Sequence, residues 1–147
     1  MDKLITIATD NEIDLKVPIN IVNECEYIDI YLHDTDINVG IIWYDSSDDF
    51  EFIQYFGNVG YEIKKEYRGN NYALKALKLL KQILIDKKME NMLFSIELDN
   101  VASIKTVEKF GASKLGIKKV LPNPKLYALS DKPMVMYNYN LNGGKSK

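Results

Sequence analysis

The stretch Gly60-Tyr61-Glu62-Ile63-Lys64-Lys65-Glu66-Tyr67-Arg68-Gly69-Asn70-Asn71-Tyr72-Ala73-Leu74 decides how this chain reads. Strand-like residues run into a turn of Arg, Gly and two Asn, and the turn opens a helix. Glycine takes positive φ freely and asparagine tolerates it. Successive backbone N–H groups of such a turn can therefore point into one concavity at the positive end of the helix dipole. That geometry suits a phosphate. It is not the triphosphate loop, because no Gly-Lys-Ser/Thr ending follows, and it lacks the three spaced glycines of a dinucleotide turn. On these residues alone the stretch reads equally well as an ordinary helix N-terminus with a Gly-Asn turn.

Downstream, Ala73, Leu74, Leu77, Leu80, Ile83 and Leu84 fall on one stripe, with Lys75, Lys78, Lys81, Lys87 and Lys88 on the remainder. This is an amphipathic helix, with cations expected near its C-terminus where the dipole favours them. Leu93 to Leu98 is an apolar strand. Asn100 can cap a second helix whose apolar positions Val101, Ile104, Val107 and Phe110 face one way, and Gly111 ends it as a left-handed cap. Leu115 to Leu121 and Met134 to Leu141 read as strands separated by a loop from Pro122 to Pro133. Upstream, Leu4 to Ala8 is a short strand, and Tyr27–Leu32 and Asn38–Tyr44 form a hairpin about Asp34-Thr35-Asp36. Asp45 to Asp49 is a turn, and Glu51 to Ile63 is one long or interrupted strand with Gly57 and Gly60 as bulge sites. A short helix fits between Pro18 and Glu24. The order implies an α/β, α+β layered fold.

A second stretch bears on the first. Ser95-Ile96-Glu97-Leu98-Asp99-Asn100-Val101-Ala102-Ser103 leads into Glu108-Lys109-Phe110-Gly111-Ala112. With both stretches in this order, the chain resembles the GNAT superfamily of acetyl-CoA-dependent N-acyltransferases. The family's phosphate signature, Arg/Gln, two residues, Gly, one residue, Gly/Ala, falls on Arg68, Asn71 and Ala73, with Asn71 in place of glycine. Its second signature falls on Asn100, Ser103, Glu108, Lys109 and Gly111, with Ala112 in place of Phe. The similarity is greatest to the branch that acetylates ribosomal-protein N-termini, and it covers about residues 57–121.

The resemblance implies a mixed, mostly antiparallel central sheet with helices on both faces, in a single domain over residues 1–142 with a frayed tail at 143–147. It implies an N-acetyltransferase in which an amine attacks the acetyl thioester directly. The backbone N–H near Ile63 would polarise the carbonyl, and Arg68, Gly69, Asn70, Asn71, Tyr72 and Ala73 would hold the pyrophosphate. Asn100 and Ser103 would reach the pantetheine arm. Many members carry a Tyr four residues after the Ser position that protonates the departing thiolate; here Val107 stands there, so either another group, Tyr137 or Tyr139, supplies the proton or the thiolate leaves with solvent's help. Glu62 and Glu97 are the candidate bases, although solvated strand carboxylates are the commoner reading of such residues.

Composition bounds the alternatives. At 147 residues, the chain is one domain's length, taking about 100–200 residues per domain. Its 19 basic and 21 acidic side chains give a net charge of −2, which argues against a nucleic-acid surface. One cysteine, Cys25, makes no intramolecular disulfide, and with a single histidine, His33, no Cys/His metal cluster can be assembled. Cys25 reads as a small hydrophobe and His33 as an exposed turn residue. No apolar run approaches the roughly 18 residues of a membrane helix, so a soluble, cytoplasmic protein is expected. The acceptor is expected to be an amine-bearing small molecule or a protein N-terminus, and Met134–Leu141 is a candidate edge strand for a homodimer. The alternative is a catalytically silent acyl-CoA-binding or regulatory module on the same fold.

Overall fold

The computed structural model describes residues 3–22, 26–47, 56–118 and 133–142. They fall into two compact units, Met1–Asp45 with Gly60–Lys87, and Ser46–Val59 with Lys88–Lys147.

The first unit is built on strands β1 (Leu4–Thr9), β2 (Ile13–Pro18), β3 (Tyr27–Leu32), β4 (Asn38–Tyr44) and β5 (Val59–Ile63), which lie in that order across one sheet. The first three pairings are antiparallel. At the fourth, Lys64 N–H reaches Val39 O at 2.8 Å while Gly60 lies against Trp43, so β4 and β5 also run oppositely. Period-two alternation places Ile13, Leu15, Val17, Ile28, Ile30 and Ile42 in the core. Helix α1 (Tyr72–Asp86) packs against β2, β1 and β4, burying Ala73, Ala76, Leu77, Leu80 and Leu84. Each fully buried Leu or Ile contributes about 1.5–3 kcal/mol, so this stripe fixes where α1 begins and which way its N-terminus points.

Several expectations change here. β2 was not anticipated. Of the helix expected between Pro18 and Glu24, the described residues hold a single 3-10 turn, Ile19–Ile21. The cations expected near the C-terminus of α1 are there, just past its last turn: the helix stops at Asp86, Lys87 is its C-cap and Lys88 follows at φ 65°. Gly60 lies inside β5, where a Cβ would stand 2.4 Å from the Trp43 ring, so close approach calls for glycine there.

The second unit holds β6 (Asn91–Glu97), β7 (Ser113–Lys118) and β8 (Met134–Asn140), in the order β6-β8-β7 with both pairings antiparallel. Helix α2 (Val101–Phe110) follows β6, with Asn100 Oδ1 accepting the Ser103 N–H at 3.2 Å and Gly111 closing the C-terminus at φ 106°. Phe110 meets Phe94 edge-on and lies 4.6 Å from Tyr139, centroid to centroid. Only Val107 and Phe110 of α2 are buried. Val101 is 56% exposed and Ile104 half-buried, so the apolar face covers the C-terminal half of the helix and not its start.

Gly57 and Asn58 staple the outer side of β6. Gly57, at φ 76°, bridges Phe94, while Asn58 N–H donates to Leu93 O at 2.8 Å and its Oδ1 accepts the Leu93 N–H at 2.7 Å. The expected long strand from Glu51 is thus broken before Val59, and residues 51–55 lie outside the described residues. β8 is the central strand of its sheet and offers no free edge for a two-fold pairing; β7 is the edge, with Leu115 63% and Ile117 47% exposed. The expected continuation to Leu121, the Pro122 to Pro133 loop before its last residue, Cys25 and the 143–147 tail lie outside the described residues. Among the described residues the fold is α/β, with antiparallel sheets and the two α-helices α1 and α2. Among the described residues no helix is long and apolar enough to cross a membrane.

Candidate functional site

The turn between β5 and α1 is held from both sides. Lys65–Tyr67 forms a 3-10 turn, closed by Tyr67 N–H to Lys64 O at 2.9 Å. Arg68 then folds back, its Nε donating to Ile63 O at 2.8 Å across five residues. Its guanidinium therefore braces the loop from within. Asn70 Nδ2 donates to Tyr67 O at 3.0 Å.

After this brace the backbone twice enters the left-handed region, at Gly69 (φ 90°) and Asn71 (φ 63°, ψ 23°). A Cβ on Gly69 would meet nothing within 4 Å, so conformation rather than space demands glycine. Asn71 stands at the N-cap of α1, yet its side chain makes no capping hydrogen bond. The first-turn N–H groups, which no intrahelical carbonyl can reach, are left to an external acceptor. Arg68, Gly69, Asn70 and Asn71 are exposed, Tyr72 is half-buried and Ala73 is buried. Ala73 can offer only its backbone N–H, since its methyl belongs to the core.

The other anticipated residues divide between the units. Glu62 is an exposed carboxylate on β5, and Ile63 is 8% exposed at the same strand's end. Glu97 is half-buried at the end of β6. Asn100 spends its Oδ1 on the α2 cap, leaving its amide Nδ2, and Ser103 sits in the first turn of that helix. Val107 is fully buried. Tyr137, 2% exposed, donates its hydroxyl to Glu108 Oε2 at 2.6 Å. That hydrogen bond, with burial and the Glu108 charge, pushes its pKa up to about 12. One further polar group had no signal in the sequence: Ser95 Oγ is buried on β6 with no hydrogen-bond partner among the described residues.

A second constellation, also missed, lies at the turn end of the first unit's sheet. Asp14 on β2 is 3% exposed and is the one buried charged residue among those described. Its Oδ1 accepts from Thr9 Oγ1 and lies 2.8 Å from His33 Nδ1, and its Oδ2 accepts the Asp34 N–H at 3.0 Å. His33 Nε2 lies 3.3 Å from Asp34 Oδ2. Burial would raise the Asp14 pKa, but the hydrogen bonds from Thr9, His33 and the Asp34 backbone outweigh it and lower the net value. The bond to Asp14 raises the His33 pKa, partly offset by desolvation. His33 is the exposed turn residue expected, at 40% side-chain exposure, but its Nδ1 is hydrogen-bonded to Asp14 and its Nε2 stands at ion-pair distance from Asp34.

Comparisons with known proteins bear on the family and the fold. A family model described as the Acetyltransferase (GNAT) domain matches residues 14–113. No curated protein matches the chain in sequence. Among solved structures, a GNAT-family acetyltransferase from Bacillus anthracis superposes with a TM-score of 0.63 at 20% identity, covering 84% of this chain and 72% of that one. The apo form of RimL, the ribosomal L7/L12 alpha-N-protein acetyltransferase, gives 0.67 at 10% identity, covering 93% and 94%. The Microcin C7 self-immunity acetyltransferase MccE, in complex with acetyl-CoA and AMP, gives 0.59 at 16% identity, covering 83% and 64%.

Proposed function

The chain belongs to the GNAT acetyltransferase family, and on that premise we propose that it moves the acetyl group of acetyl-CoA onto a primary amine by direct attack. The observation that carries this reading is the loop ahead of α1. Two left-handed residues, Gly69 and Asn71, open a 15-residue helix that has no side-chain cap, a geometry that favours an anionic pyrophosphate.

In this reading the N–H groups from Gly69 to Ala73 hold the pyrophosphate, and Arg68 keeps the loop in shape through its bond to Ile63 O. The N–H at Ile63 is assigned to the thioester carbonyl, where a preorganised donor meets the charge that develops as nitrogen attacks. Asn100, through Nδ2, and Ser103 are assigned to the pantetheine arm. The new C–N bond forms as the C–S bond breaks. An ammonium substrate gives up one proton before attack and a second after it. The first goes to a base, for which Glu62 and Glu97 are the assigned candidates, and the second balances the proton taken by the thiolate. Tyr137 can serve as that donor only by releasing Glu108, and a phenol with its pKa near 12 is a reluctant acid. Positioning supplies most of the rate. The acceptor is assigned as a protein N-terminus or an amine-bearing small molecule, a class supported by the likeness to RimL, and the location as cytoplasmic.

Calorimetry with CoA tests the loop. The parent should bind, and a Gly69→Val, Asn71→Val double variant should not; a silent parent or a fully competent double variant refutes the assignment. One observation favours a second reading, a silent acyl-CoA-binding module: Val107 is buried where a thiol-facing hydroxyl would be useful, and Tyr137 is already engaged. Thiol release from acetyl-CoA over a panel of amines separates the two, since a binder releases none.

A further inference from the structure

We propose that His33 is a proton-operated latch: protonated, it clamps the β1–β2 turn to the β3–β4 turn by bridging Asp14 and Asp34, and on losing its proton it lets the second turn loosen.

The geometry lets a neutral imidazole answer only one of its two carboxylates. Nδ1 faces Asp14 Oδ1 at 2.8 Å and Nε2 faces Asp34 Oδ2 at 3.3 Å, so the ring lies between two carboxylates. A neutral ring has one N–H and one lone pair. It can donate to Asp14 and leave a lone pair towards Asp34, or carry its proton on Nε2 and accept at Nδ1 from Thr9 Oγ1, 3.2 Å away, at the cost of its bond to Asp14. The cation donates to Asp14 and sets its charge against Asp34 at ion-pair distance. Asp14 is the fixed side of the latch, being buried in β2 and also holding Thr9 and the Asp34 N–H. Asp34 is the movable side, with a side chain 85% exposed and a backbone in the left-handed region at φ 58°. A non-glycine residue keeps that conformation only while its surroundings hold it there.

The charged groups that face His33 come from every neighbouring element. The β1–β2 turn supplies Asp10, β2 supplies Asp14 and the β3–β4 turn supplies Asp34, while Glu12, Lys16 and Asp36 lie on the same turns and strand. Both nearby lysines are engaged elsewhere. Lys16 Nζ lies 3.4 Å from Thr35 O and 4.7 Å over the Tyr31 ring, and Lys75 Nζ of α1 pairs with Glu12 at 3.3 Å. The proton on His33 is thus the charge that answers Asp14 and Asp34 directly. Its backbone N–H also donates to Glu12 O at 3.0 Å, so the latch joins the residue that tethers the start of α1.

The chain has a single histidine, so one imidazole resonance reports the latch without assignment ambiguity. Ligand-free protein is titrated by NMR, following the ring Hε1 and the amides of Glu12, Asp34 and Lys75. The expected result is a midpoint above the ordinary 6.5, with the Glu12 and Asp34 amides moving at the same midpoint. Above it, hydrogen exchange at Asp34 should be several-fold faster after correction for intrinsic base catalysis. Asp34→Asn should lower the midpoint and His33→Gln should abolish the amide transition, both in folded proteins because both side chains are on the surface. A midpoint at or below 6.5, or turn amides indifferent to the ring's titration, overturns the proposal. No readout uses CoA, so the result is independent of the cofactor assignment.

Discussion

Gly69→Ala isolates backbone conformation at the α1 loop from every other contribution. The new methyl has no neighbour within 4 Å, so no clash enters the comparison. What remains is the cost of an L residue at φ 90°, about 1–3 kcal/mol for a non-glycine residue held in a sparsely populated region. The loop is exposed, and an unliganded variant can relax away from that conformation, so thermal stability should fall little. Binding must restore the conformation, and the cost then appears in affinity as a loss of about 5- to 150-fold. Asn71→Gly is the companion variant, since glycine accepts φ 63° without a Cβ penalty and keeps the N–H. It should bind CoA within about twofold of the parent, well inside a 1.4 kcal/mol tenfold step. Isothermal calorimetry with CoA, run beside thermal denaturation, reads both quantities. Parent-like affinity in Gly69→Ala, or a greater loss in Asn71→Gly than in Gly69→Ala, would refute the argument that left-handed backbone builds this site.

Gly60→Ala should behave in the opposite way: its Cβ would lie 2.4–2.7 Å from Trp43 ring atoms, so overpacking of about 1–3 kcal/mol should lower Tm by several degrees whatever its effect on CoA, and an unchanged Tm would contradict the packing described. Asn100→Ala removes the side-chain acceptor for the Ser103 N–H and should destabilise by about 0.5–2 kcal/mol in chemical denaturation, with Asn100→Ser recovering most of it. Ultraviolet titration of the tyrosines should show a phenol ionising near pH 12 that Tyr137→Phe removes. Because the folded pKa of Tyr137 is raised from 10.0 to about 12, its stabilising contribution is present below pH 10 and fades as pH rises through 12. For His33 the raised folded pKa means stabilisation present below 6.5 and lost as pH climbs through the folded value. For Asp14 the lowered pKa means stabilisation present above 3.8 and lost as pH falls through its lowered value. The stability advantage of the parent over His33→Gln should therefore be greatest between about pH 4 and 6.5, and an advantage that grows with rising pH would contradict the signs.

What could be seen in the sequence was what depends on near neighbours. The α1 stripe from Ala73 to Leu84, the cap at Asn100, the left-handed Gly111 and the Gly69-Asn71 turn are each written in a few adjacent residues, and each is where it was expected. β2 was legible too, since Ile13, Leu15 and Val17 alternate with Asp14 and Lys16 in the period of a strand. One of those charges is buried, and burial of an aspartate is settled by partners that neither periodicity nor propensity records. His33 and Asp14 are 19 residues apart, and only the pairing of Ile13 with Leu32 brings them together. The half-exposed course of α2 has a similar cause, since the spacing of Val101, Ile104, Val107 and Phe110 gives a face but not how far the sheet extends beneath it. The position of β8 between β6 and β7 is a matter of strand order, which a run such as Met134–Leu141 does not specify on its own.

Trp43 is the chain's only tryptophan, lying on Gly60 and stacked with Tyr27 at 6.1 Å between ring centroids. Its indole touches three strands of one unit and is thus an intrinsic fluorophore confined to that unit. Emission spectra will follow the unfolding of the five-stranded sheet alone, whereas far-ultraviolet circular dichroism averages over both units. Superimposable denaturation curves from the two signals would mark one cooperative transition, and separated curves would give the free-energy gap between the two units.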